Sequence, residues 1–210
     1  TLVAGAASIT EVSGATNSTT ITATLNTPSA LPVTVTLTKT GTAIEGGTFD
    51  YTLTGSITIN AGATTTSIQL TAIDDQLDED GTVPVPDETV VIVITGITNG
   101  TEGSSDDTGV ETETVRIIDN DAPPTVTFTF LPVSLGEDSG VTSATVTVTL
   151  STQSGLGVTV NFTKSGNATS ADYSLNDAIV ISAGQTSGSM IMTVVGDELD
   201  EVDETVTLDI

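Results

Sequence analysis

The sequence predicts an all-β chain of two tandem β-sandwiches, the second lacking its last strand in this chain. Three observations predict it. Threonine supplies about one residue in five, with valine and isoleucine also abundant, and β-branched side chains lose rotamer freedom in helices but pack well on a pleated sheet. Runs such as VTVTLT (33–38), ITIN (57–60), TVTFTF (125–130) and TVTVTL (145–150) alternate apolar and polar residues, which turns one face to a core and one to water. The chain also repeats itself.

The repeat can be followed element by element. VTVTLTKTGTA (33–43) returns as VTVNFTKSGNA (158–168), and FDY (49–51) returns as ADY (171–173). AIDDQLDE (72–79) returns as VVGDELDE (194–201), and PDETVVIVI (86–94) as VDETVTLDI (202–210). The last two pairs differ in offset by six, so the first copy carries an extra loop near DGTVPVP, between its acidic turn and the next strand. Turn signals such as TGTAIEGG and SAGQTSG separate the strands, at intervals expected of a sandwich. These correspondences divide the chain into residues 1–121 and 122–210, each of seven strands in principle. The strand TETVRIIDND that closes the first copy has no counterpart after Ile210, which leaves an unpaired edge and suggests a fragment of a longer chain. No amphipathic helix is expected.

Composition narrows function. The formal charge is -25, from 28 acids against Lys39, Arg116 and Lys164. Such a surface repels nucleic acid and anionic membranes and favours cations. With neither cysteine nor histidine, disulfides, Cys/His zinc sites and Ser-His or Cys-His nucleophiles are excluded. No apolar run approaches the roughly 20 residues of a membrane span. A two-carboxylate glycoside hydrolase fits poorly, since sugar clefts want aromatic platforms and the chain has no Trp, two Tyr and four Phe. We expect no enzyme. Phe49, Tyr51 and Tyr173 are expected to plug the core beside the acidic turns.

The acids cluster at Glu11, Asp50, Asp74-Asp75, Asp78-Glu79-Asp80, Asp87-Glu88 and Asp119-Asn120-Asp121. With strands running up and down, these turns fall at one end of the first sandwich. Carboxylates gathered there repel one another strongly. A hard cation with six to eight oxygen ligands offsets that repulsion, and calcium suits it better than magnesium, which wants a tighter octahedron.

At these positions the sequence resembles the Calx-beta domain family. The pattern is Glu11-Val-Ser-Gly14, then GTA…DY, then IDD…E…DE, and finally I-x-D-N-D closing the last strand. The resemblance runs from Gly41 to Asp121 almost throughout, apart from the DGTVPVP insertion. It implies an immunoglobulin-like sandwich with Ca2+ held by the turns at one end. Carried over by position, it implies ligands Glu11, Asp50, Asp74, Asp75, Glu79, Glu88, Asp119 and Asp121, with Asn120 ligating through its amide or backbone oxygen. In the second copy it implies Glu137, Asp172, Asp197, Glu201 and Glu204. There Gly196 replaces the counterpart of Asp74 and the closing DND is missing, so weaker binding is expected.

Members of the family occur in sodium–calcium exchangers, in an integrin subunit and in tandem in large bacterial surface proteins. The composition favours the last setting. The expected function is a calcium-binding structural or adhesive repeat of an extracellular or bacterial surface protein, its ion stiffening the joint at Pro123-Pro124. The expected partners are calcium ions, neighbouring repeats of the same long chain and a cell-surface or matrix partner. The alternative is a regulatory calcium sensor whose domains reorient on binding.

Overall fold

The structure is a computed structural model that describes residues 1–12, 17–46, 50–79, 87–103, 111–137, 142–196 and 202–210. The described residues form strands and turns only, with no helix. The chain divides into two compact units, Thr1–Asp75 with Val83–Asn120, and Gln76–Thr82 with Asp121–Ile210.

The first unit contains strands β1 (Leu2–Ala4), β2 (Ser8–Thr10), β3 (Ser18–Thr24), β4 (Val33–Gly41), β5 (Tyr51–Thr52), β6 (Ser56–Ile59), β7 (Thr65–Ala72), β8 (Glu88–Thr98) and β9 (Thr112–Ile118). They build a four-stranded sheet, β1-β3-β7-β5, and a five-stranded sheet, β2-β9-β8-β4-β6. Among the described residues nine strands stand where the repeat suggested seven. The opening strand divides at Gly5 so that β1 joins one sheet and β2 the other, and β5 adds a two-residue pairing beside β7.

Period-two burial makes this a sandwich. Val90, Ile92 and Ile94 on β8, Val115 and Ile117 on β9, and Val35 and Leu37 on β4 face inward from one sheet. They share a core with Ile21 of β3, Leu70 and Ala72 of β7, and Tyr51 of β5. The threonines between them line the outer face, where Thr22 and Ser67 hydroxyls meet at 2.8 Å across β3 and β7. Between Thr36 and Leu37 the β4–β8 register slips, opposite Gly96 and Ile94; such a bulge absorbs an extra residue and bends the strand. Gly41 ends β4 at φ +121°, and a Cβ there would lie 2.0 Å from the Thr89 carbonyl oxygen, so only glycine fits.

The second unit contains β10 (Val126–Leu131), β11 (Ser143–Leu150), β12 (Val158–Asn161), β13 (Thr163–Gly166), β14 (Tyr173–Ser174), β15 (Ala178–Ile181), β16 (Ser187–Val194) and β17 (Val206–Asp209). One sheet runs β10-β11-β16-β14; facing it, β12 pairs with β15 and β13 with β17. The core gathers Val146, Val148, Leu150, Ile179, Ile181, Met190 and Phe162, and Phe128 meets Phe162 edge to face with centroids 5.4 Å apart. Among the described residues β17 has β13 as its one neighbour, and no strand stands where β9 stands in the first unit. Gly166 repeats Gly41, at φ +125° with the Thr205 carbonyl oxygen 2.0 Å from a would-be Cβ. Lys39 and Lys164 are likewise equivalent. Their ammonium groups donate to the Leu53 and Leu175 carbonyls at 2.8 and 2.9 Å and pair with Glu45 and Asp177.

Candidate metal centre

The acidic turns of the first repeat are tied together by backbone hydrogen bonds that follow from the strand order. Glu11 follows β2, which runs parallel to β9, and its amide donates to the Ile118 carbonyl at 3.0 Å. Asp50 precedes β5, which pairs with the end of β7, and its carbonyl accepts from Ile73 at 2.9 Å. Asn120 Nδ2 donates to Asp74 Oδ1 at 3.1 Å. The turns holding Glu11, Asp50, Asp74 and Asp119–Asn120 are thus linked in pairs, Glu11 to the end of β9, Asp50 to the end of β7, and Asn120 to Asp74.

Among the described residues, Asp50, Glu79 and Glu88 each bring one carboxylate oxygen within 4.8 Å of the others. Asp50 is 6 % exposed and Glu11 is 2 % exposed. The Ile44 amide donates to Asp50 Oδ2 and fixes that carboxylate. One oxygen on each of Glu11 (Oε2), Glu88 (Oε2) and Asp121 (Oδ2) is shut off from solvent. Burying an ionised carboxylate costs several kcal/mol unless opposite charge or donors compensate it. Three carboxylates within such a distance of one another are suited to a cation. The residues present therefore fit a hard divalent ion with oxygen ligands.

Of the other expected ligands, Asp75, Asp119 and Asp121 are half-buried, while Asp74 and Asn120 are exposed and meet each other. Tyr51, 2 % exposed, lies in the core below this end of the sandwich, as expected of a plug. Burial, with the charges of Glu45 and Asp50, pushes its phenol above the usual value. Phe49 lies outside the described residues, as do Asp80 and the DGTVPVP loop.

In the second unit Glu137, Asp172 and Glu204 line one cleft of about 680 Å³, with Tyr173 beside them. Asp172 is held by Thr169, whose amide and hydroxyl donate to its Oδ2 at 2.6 and 2.8 Å. The Thr169 backbone bond, then its hydroxyl, holds the Asp172 carboxyl below the usual range, with a further hydrogen bond from Glu204. A Cβ on Gly196 would stand 3.1 Å from the Glu137 carbonyl oxygen, so the missing counterpart of Asp74 leaves that backbone close-packed. Asp197 and Glu201 lie outside the described residues.

Two acids outside the expected ligand set have structural roles. Glu111 is 7 % exposed and accepts from the Leu2 amide at 3.3 Å, and its own amide donates to Glu102 at 2.7 Å. Asp78 is 3 % exposed, and its carbonyl accepts from the Gly155 amide at 3.0 Å and the Ser154 hydroxyl at 3.2 Å. Neither leaves a sequence signal, because backbone groups make or receive these bonds.

No family model and no curated protein matches the chain. Among solved structures it is similar to CBD12 from CALX1.2, at 17 % identity and a TM-score of 0.41, covering 96 % of this chain and 76 % of that one. The calcium binding domain CBD12 of CALX1.1 is similar at 18 % identity and a TM-score of 0.40 over the same shares. A two-domain protein of unknown function from Bacteroides fragilis is similar at 11 % identity and a TM-score of 0.30, covering 86 % of this chain and 78 % of that one.

Proposed function

We propose that this chain is a calcium-binding module of the Calx-beta type, with Ca2+ held by the acidic turns of its first repeat. The observation that carries the reading is the approach of Asp50, Glu79 and Glu88 to within 4.8 Å. Calcium takes six to eight oxygens at about 2.3–2.6 Å and tolerates irregular arrangements, which suits a mixture of buried and exposed carboxylates. Glu11, Asp74, Asp75, Asp119, Asn120 and Asp121 are the further oxygen donors of the proposal. The second unit, with Glu137, Asp172 and Glu204 on its cleft, is the weaker binder, because it offers glycine at Gly196 in place of a carboxylate.

An ion bound at Asp119 and Asp121 pins the chain immediately before Pro123-Pro124, where proline already limits the backbone. The role that follows is structural: calcium sets the stiffness of a repeat in a long acidic extracellular chain. The richness in threonine, the scarcity of lysine and the extreme acidity support that setting.

Calcium titration by calorimetry, with small-angle scattering on the same samples and a chelated control, tests this. Saturable binding with a longer, stiffer particle supports the proposal. A Kd of about 0.1–1 mM fits an extracellular module, whereas one in the range of intracellular sensors supports regulation instead. No heat up to several times about 1 mM removes the metal reading.

A further inference from the structure

A cavity of about 320 Å³ lies between the two sheets of the first unit, at the opposite ends of β8 and β9 from Glu88 and Ile118. Its floor belongs to the core: Val35 of β4, Ile59 of β6 and Ile94 of β8 line it from one sheet and are buried. Ala23 of β3 and Leu25 just after it line it from the other sheet. At the position of Ala23 the second repeat carries Val148, a side chain larger by two carbons.

Two carboxylates stand on the wall of this cavity. Glu111, just before β9, is buried, and its Oε2 accepts from the Leu2 amide at 3.3 Å. Glu102 accepts from the Glu111 amide at 2.7 Å through Oε1. Each acid is thus oriented by a main-chain donor, and both line the cavity. Among the described residues that line it there is no lysine or arginine. Lys39 is held by Glu45 and the Leu53 carbonyl, and Arg116 by Asp87. The Thr1 amino group, also on the wall, donates to the Thr24 carbonyl at 2.9 Å. A mostly apolar cavity of this size with a few fixed polar groups has the form of a small-molecule site. Carboxylates beside an apolar wall select for positive charge, because the attraction is little screened there.

We infer that this cavity binds an aliphatic ammonium group, its alkyl stem against Val35, Ile59 and Ile94 and its charge at Glu102 and Glu111. The stem accounts for the apolar floor and the charge for the two acids. An ammonium has three donors to share between two carboxylates. A metal ion fits this cavity less well, since valine, isoleucine and leucine side chains cannot supply its remaining oxygens. The site is distinct from the acidic turns and does not rest on the calcium reading.

The test is a titration of the full chain with pentylammonium in high salt, read by the methyl NMR shifts of Val35, Ile59 and Ile94. Pentanol and pentanoate serve as neutral and anionic counterparts of the same length. The amine should give saturable shifts with a Kd of about 1 mM, within reach of so small a ligand. The alcohol should bind about tenfold more weakly and the acid more weakly still. Glu111→Gln should weaken the amine about tenfold and bring it level with the alcohol; Glu102→Gln gives the same reading if the first variant fails to fold. Ala23→Val should fill the cavity and remove the shifts for amine and alcohol alike, with a thermal melt to show that the chain is folded. Nα-acetyl-lysine methylamide, titrated alongside, separates the sources of the ligand: binding equal to pentylammonium assigns lysine side chains of a partner, and weaker binding assigns a free amine. No shift at these methyls, equal binding of amine and alcohol by the parent, or an undiminished response in folded Ala23→Val overturns the inference. The titration is run in calcium and in chelator, so its failure is separate from failure of calcium binding.

Discussion

Asn120 donates its side-chain amide to the Asp74 carboxylate at 3.1 Å, joining the end of the last strand of the first unit to the turn after β7. The bond orients a carboxylate by a neutral neighbour, as outer-shell partners do at metal sites. Asn120→Ala should weaken calcium binding about tenfold or more while leaving the melting temperature in chelator unchanged, because the residue is exposed. Calorimetry beside thermal melts checks both halves.

Glu88 contributes a carboxylate to the group with Asp50 and Glu79, and its Oε2 is shut off from solvent. Without an ion, neutralising it relieves repulsion; with an ion, it removes a ligand. Glu88→Gln should therefore melt at or above the parent in chelator and lose most of the calcium-dependent gain, about 2.7 kcal/mol at a hundredfold excess over Kd in the parent. A variant that melts lower in chelator and retains the calcium gain would contradict the site.

Asp172 titrates below its ordinary value of 3.8, chiefly because the Thr169 amide donates to it. The folded-state value is depressed, so the stability this contributes is present above the unfolded value and is lost as pH falls through the folded one. Thr169→Val removes the hydroxyl and keeps the amide. Carboxyl NMR should show the Asp172 midpoint rise part of the way towards 3.8 in the variant and acid unfolding begin at slightly higher pH.

Gly41 and Gly62 both have positive φ, but a Cβ at Gly41 meets the Thr89 carbonyl oxygen at 2.0 Å whereas one at Gly62 meets nothing within 4 Å. Gly62→Ala should cost about 1 kcal/mol, from backbone strain alone. Gly41→Ala should cost about 3 kcal/mol or more, since β4 must move away from β8. Denaturant melts of the two variants separate strain from collision.

Strands of period two were legible, because Val90, Ile92 and Ile94 alternate with residues that face outward. The placement of Glu11, Asp50 and Asp74 just beyond strand ends was legible for the same reason, since the alternating runs stop short of them. The division of the opening strand at Gly5 was not, as GAAS carries neither a turn residue pair nor a hydrophobic period. Nor was the placement of Gln76–Thr82 in the second unit, where a main-chain carbonyl rather than the acidic side chain of Asp78 makes the contact. Main-chain chemistry is the same at every residue, so sequence does not mark it.

The parallel pairing of β2 with β9 sets Ser8 beside Arg116, Ile9 beside Ile117 and Thr10 beside Ile118. A pull on the start of β2 against the end of β9 loads opposite ends of that pair. The slanted bonds of a parallel ladder then bear the load together in shear, rather than opening one after another like a zipper. Under tension the first unit resists as a clamp, and its lifetime is set by how fast that short seam slides.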